Sequence, residues 1–243
     1  MTDPFETTDL LSRYRWCRLG FSLSAVASGV MAFHAAGVTL FYLTWYPSLR
    51  QFLNSSDWLL AATSVITWAS LLGSLVLLRC WPERFWGQRV GVLLTTCLLS
   101  AVIWVVRHAV RFGLASEPIP HTDLLIHVAL GLRWVWLAVL SGLAAEVAVH
   151  LGDRGARRLR AAIMATVTAG VAFWILTLLI DMMPGMMPRR PRDFVAIWMQ
   201  ILGFWGLYCA SGFSTTILLL TASRECTRIA RELKRDADML HTA

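Results

Sequence analysis

Six stretches of this 243-residue chain are apolar over a length that few buried helices of a water-soluble core reach. They fall at 19–46, 57–78, 88–113, 122–150, 159–183 and 193–222. An α-helix rises about 1.5 Å per residue, so about 20 residues cross the ~30 Å of hydrocarbon in a bilayer. All six stretches meet that length. Backbone groups in hydrocarbon must bond within their own segment, which leaves the helix as the conformation for such a run. The pattern therefore predicts an all-α integral membrane protein. It has six transmembrane helices over 19–222, paired as three helical hairpins, between a polar segment at 1–18 and a charged tail at 223–243.

Composition agrees with this reading. Hydrophobic residues make up 57% of the chain, above the roughly 45–50% of ordinary globular domains. The net charge is +7, and Lys234 is the only lysine. Positive charge concentrates in alternate loops: Arg79, Arg84 and Arg89 follow the second span, and Arg154, Arg157, Arg158 and Arg160 follow the fourth. Arg13, Arg15 and Arg18 precede the first span, and five basic residues follow the last. Short loops rich in arginine stay on the cytoplasmic side, which places both termini in the cytoplasm of a cell with this inner membrane. Arg189, Arg190 and Arg192 run against that pattern. Anionic headgroups account for the basic charge, and no nucleic-acid partner is needed.

The five cysteines form no CxxC pair, and neither a disulfide framework nor a metal cluster is expected. The chain also lacks a phosphate-binding glycine loop, a nucleophile elbow and an HExxH helix. An enzyme is therefore not the expected class.

Charged and polar side chains inside the apolar spans carry the functional information, because each costs about 2.5–3.5 kcal/mol at bilayer depth. The fourth span holds His127, Arg133 and Glu146. Counting rise from the span centres places Arg133 about 5 Å outward of the middle and Arg107 and His108 roughly 9–10 Å outward. Gln200 falls at about 10 Å, and His127 and Asp181 at about 14 Å. These six residues are the candidate ligand-binding set, an outward-side pocket for a polar or anionic ligand. Arginine suits it because its planar fork matches carboxylate and phosphate. Helix phase adds a constraint: His127, Gly131, Trp134, Ala138, Ser141, Gly142 and Ala145 share one small, polar face, which should pack inward. Arg133 lies about 120° from that face and needs its own partner, for which Asp181 and Gln200 are the candidates. His34, near the middle of the first span, is read as a core histidine.

The leading functional expectation is a small transporter or channel-like protein, or the membrane subunit of a larger complex, without a resident cofactor or metal. A second reading is a b-type haem subunit for electron transfer, with His108 and His127 as axial ligands on consecutive helices. A third is a scaffold or sensory anchor acting through the tail. There Ile229, Leu233, Ala237 and Leu240 form an apolar stripe suited to the membrane surface or to a protein partner.

Overall fold

A computed structural model of the chain describes residues 4–44, 56–80, 84–111, 122–150, 155–182, 203 and 205–242, in part as backbone alone near helix ends. Among the described residues there are six helices and no strand. They are α1 (Pro4–Thr44), α2 (Ser56–Leu77), α3 (Arg84–Arg111), α4 (Thr122–His150), α5 (Gly155–Met182) and α6 (Leu207–Thr242). Asp9–Leu40, Trp86–Val106, Val128–Val149 and Gly155–Leu176 are long and apolar enough to cross a membrane. Ala61–Leu77 is apolar but shorter. The stretch at 193–222 lies largely outside the described residues in its first half, so α6 enters with only its second, shorter apolar part. The Met- and Pro-bearing loop before it also lies outside them.

Consecutive helices pack antiparallel. Gly20 of α1 meets Leu77 of α2. Ser74 of α2 lies 3.7 Å from the Cys97 sulfur of α3, and farther along the pair the Trp104 indole donates to Thr63 at 3.3 Å. On α4 and α5, Gly131 meets Trp174 and Gly142 meets Arg160. Ser211 of α6 donates to Thr166 of α5 at 3.0 Å. The most extensive contact joins elements remote in sequence, α1 and α6. Ser28 and Thr216 are hydrogen-bonded at 2.9 Å, and Ser22 and Ser223 at 3.0 Å. One turn beyond the Ser28–Thr216 pair, a Cβ on Gly212 would stand 2.9 Å from that of Ala32, so the backbones approach where only glycine fits. Small residues and hydroxyls of this kind are how helices pack without a hydrophobic driving force between them.

This pairing closes the helices into a ring, α1 to α6 in order, and α4 also touches α6. Half of the α4 span is buried, against 22% for α3 and 17% for α5, so α4 is the more interior helix. The outside is apolar: Phe33, Val102 and Ile217 are 67%, 59% and 57% exposed. Exposed apolar surface on this scale calls for a covering other than water.

Residues 4–18 do not form a separate short helix. From Pro4 they continue into the first span as one 41-residue rod. Its start pairs with α6 beyond residue 223, so both chain ends leave the same end of the bundle, called here the near end. Cys17 of α1, Cys80 after α2 and Cys226 of α6 are all fully buried there, with Cys17 hydrogen-bonded to the other two thiols. The bond to Cys17, with burial second, holds the Cys226 thiol far above the usual thiol range. Since the thiolate is the reacting form, Cys226 should be slow to alkylate in the folded protein and fast after denaturation. Mass spectrometry after a maleimide pulse at neutral pH measures this, and prompt labelling of Cys226 without denaturant would contradict the packing.

Candidate functional site

Arg133 projects from the middle of α4 into the centre of the ring. It lines a cavity of about 20 Å³ together with Met31 of α1, Ile66, Thr67 and Ser70 of α2, Thr96, Cys97 and Ser100 of α3, and Trp136 of its own helix. Its guanidinium interacts with the Tyr208 hydroxyl of α6, and its charge reaches the His34 imidazole of α1. Five of the six helices thus contribute to its surroundings. Trp205 stands edge-on to both rings, 6.2 Å from His34 and 6.2 Å from Tyr208. Gly203, Trp205 and Gly206 have π-helical hydrogen bonding immediately before α6. Such widened turns are often found at functional sites.

The hydroxyls in the cavity wall are directed by the helices that carry them. Thr67 donates to the Thr63 carbonyl at 2.7 Å, Ser70 to the Thr67 carbonyl at 2.9 Å and Thr96 to the Leu93 carbonyl at 2.8 Å. Each O–H is therefore satisfied by its own backbone, and the oxygen turns its lone pairs outward. Donors come from elsewhere: Arg133, and the Trp136 indole, whose buried N–H has no hydrogen-bond partner among the described residues. Buried His34 Nδ1 has none there either. The wall is mostly apolar, with Arg133 as its charged group and the hydroxyl oxygens of α2 and α3 as its acceptors. A cavity of this volume holds about one water, for which ~10–15 Å³ suffices. The groups suit a small species that both accepts from Arg133 and donates to the threonine and serine oxygens.

The small face of α4 packs as its phase requires. Ser141, Gly142 and Ala145 are buried. Fully buried Trp134 lies over Gly170 of α5, where a Cβ would overlap its ring, and meets Tyr208 edge-on with centroids 5.0 Å apart. Arg133, on another side of α4, is also interior because α4 has neighbours on several sides. Glu146 finds a partner that sequence reasoning treated as a loop charge: Arg89 of α3 forms an ion pair with it near the near end of the bundle.

Among the other candidate residues, Arg107 and His108 lie toward the end of α3, His127 toward the start of α4 and Asp181 toward the end of α5. The antiparallel order brings these backbone positions to the far end of three consecutively packed helices. Their side chains, and Gln200 altogether, lie outside the described residues. So do the Arg133 pairings proposed for Asp181 and Gln200, and the axial histidine pair. Among the described residues no group of three His, Cys, Asp or Glu is placed to hold a metal ion.

Sequence reasoning missed Tyr208 and the hydroxyl wall. The signal for the wall was present: Thr63, Thr67, Ser70 and Ser74 recur at i, i+4, i+7 and i+11, and all four are buried. That spacing marks one helix face. Comparison with protein families, with curated proteins and with solved structures gives no match.

Two substitutions probe this packing. Glu146→Ala leaves Arg89 without its carboxylate and should lower stability by about 1–3 kcal/mol, whereas Arg89→Leu with Glu146→Leu should recover most of the loss. Gly170→Ala forces a methyl into the Trp134 ring and should cost about 1–3 kcal/mol. Adding Trp134→Phe, which shortens the ring, should relieve part of that. Thermal denaturation in detergent reads both cycles.

Proposed function

We propose that this chain is an integral membrane protein that crosses the inner membrane six times, with both ends in the cytoplasm. It takes up a small polar or anionic ligand at Arg133, as a transporter or channel-like protein or as the membrane subunit of a larger complex. The observation that carries this reading is Arg133 itself, a cation held inside a ring of apolar helices and facing a small cavity that hydroxyls of α2 and α3 also line. An arginine in that position costs a few kcal/mol to insert and is retained where a partner or ligand repays it.

The membrane assignment draws support from the apolar side chains exposed around α1, α3 and α6. The orientation draws support from the near end, where both chain ends emerge beside Arg79, Arg89, Arg157, Arg158 and Arg160. In the conformation described, the cavity admits a group the size of water. A larger ligand requires α2 and α3 to part from α4, and passage through the protein requires an opening at each end in turn. Tyr208 and Trp136 border Arg133 and keep its charge away from lipid.

The test is anion flux. In liposomes reconstituted with the purified protein, chloride, nitrate, bicarbonate, acetate and phosphate would each be followed separately. Arg133→Leu should reduce the flux of the transported anion by about tenfold or more, and Arg133→Lys should retain part of it, because a point charge replaces a planar fork. Equal flux of every anion through wild type and Arg133→Leu, with both folded, would remove the reading. Orientation is checked with a single cysteine in the 79–89 loop. It should label only from the cytoplasmic face, and labelling from outside would invert the topology.

A further inference from the structure

The tail helix was expected to offer its apolar stripe to the membrane or a partner, but the core already takes up the first half of that stripe. Ile229 and Leu233 pack against the core, in line with buried Ala222 and Cys226. The face left over has a different chemistry. Arg224, Arg228, Arg231 and Arg235 follow at i, i+4, i+7 and i+11, and all four are exposed. At 100° per residue they lie within about 30° of one direction, and that direction is opposite the buried stripe. The arginines, with Thr227 and Glu232, line one open groove along the helix. Arg228 is held between Glu225 at 2.9 Å and Glu232 at 3.1 Å. Among the described residues Arg224, Arg231 and Arg235 have no ion-pair partner.

We propose that this arginine ladder docks an acidic helix of a soluble partner protein, carboxylates facing guanidiniums at matching i, i+4, i+7, i+11 spacing. Three observations favour that occupant. The net charge of the tail is close to balanced, because Glu225, Glu232, Asp236 and Asp238 offset most of its basic residues. What distinguishes the tail is segregation of the arginines onto one line, which suits a linear partner better than a diffuse anionic field. Second, arginine forms bidentate pairs with carboxylate, and a ladder of them sets register as well as attraction. Third, the ladder reaches too far for lipid. α6 is one continuous helix packed along α1, and Arg224 to Arg235 spans about 16 Å of its axis. The headgroup layer on each side of a bilayer is only roughly 5–8 Å deep. Arg224 and Arg228 lie within reach of headgroups, whereas Arg231 and Arg235 stand beyond them. This last step alone rests on the membrane reading above.

The experiment uses the full chain in nanodiscs of zwitterionic lipid and a fluorescein-labelled helical peptide with glutamates at i, i+4, i+7 and i+11. Fluorescence anisotropy should show binding that weakens as salt rises, because exposed ion pairs are screened. A scrambled peptide of the same composition should bind more weakly. Arg231→Gln with Arg235→Gln should weaken binding of the patterned peptide by about tenfold. Both positions are exposed, so the thermal midpoint should not move. Binding that ignores the double substitution, or equal binding of the scrambled peptide, would overturn the proposal. So would the absence of binding to wild type. If the double substitution instead abolishes only association with vesicles containing anionic lipid, the ladder belongs to the membrane and the protein partner is excluded. Failure of the chain to enter nanodiscs would count against the membrane reading separately, and the peptide arm then runs on the detergent-solubilised chain.

Discussion

The antiparallel contact of α1 with α6 is the interaction on which the remaining arrangement depends. Without it the helices form an open row of antiparallel neighbours. Three of its closest pairings are small or hydroxylated, from Ser22 and Ser223 through Ser28 and Thr216 to Ala32 and Gly212. Close backbone approach of this kind gains dispersion and hydrogen bonds along the whole seam. The contact fixes two further features. It closes the ring around Arg133 and turns the arginine face of the tail away from the bundle.

Arg133 then has to be understood from what the ring places around it. A guanidinium carries five donors and no acceptor, so its surroundings must supply lone pairs. α2 and α3 supply them through hydroxyl oxygens. Their threonines and serines spend their own protons on backbone carbonyls one turn back, which removes the cost of a buried donor and leaves the oxygen as acceptor. These oxygens and Arg133 border a small cavity whose lining is otherwise mostly apolar. Tyr208 and His34 extend the polar layer into α6 and α1.

The helices themselves were readable because apolar length is a one-dimensional property. The runs at 88–113, 122–150 and 159–183 correspond to α3, α4 and α5 within a few residues. The start of α1 was not readable in the same way. Residues 1–18 are mixed in charge and look like a separate segment, yet the helix continues through them. Tyr14 and Cys17 are buried, and α6 supplies a packing partner from more than two hundred residues away in sequence. No local pattern announces that partner. For the same reason the tail stripe looked available, when Ile229 and Leu233 were already committed to the core.

The centre of the site shows a different limit. Helix phase separates the Trp134 face of α4 from Arg133, and from that separation the Trp134 face is expected to pack inward and Arg133 to need a partner of its own. That inference holds for a helix with one buried side. α4 has α3, α5 and α6 around it, so two directions about a third of a turn apart are both interior, and a charge on either can be enclosed. How many sides of a helix are covered follows from the closure of the ring, which is a property of all six helices together. The hydroxyl repeat on α2 was the local sign available. A helix that spends four buried positions on threonine and serine in one line faces polar neighbours, and here Thr67 and Ser70 line the cavity that Arg133 shares, while Thr63 accepts from Trp104.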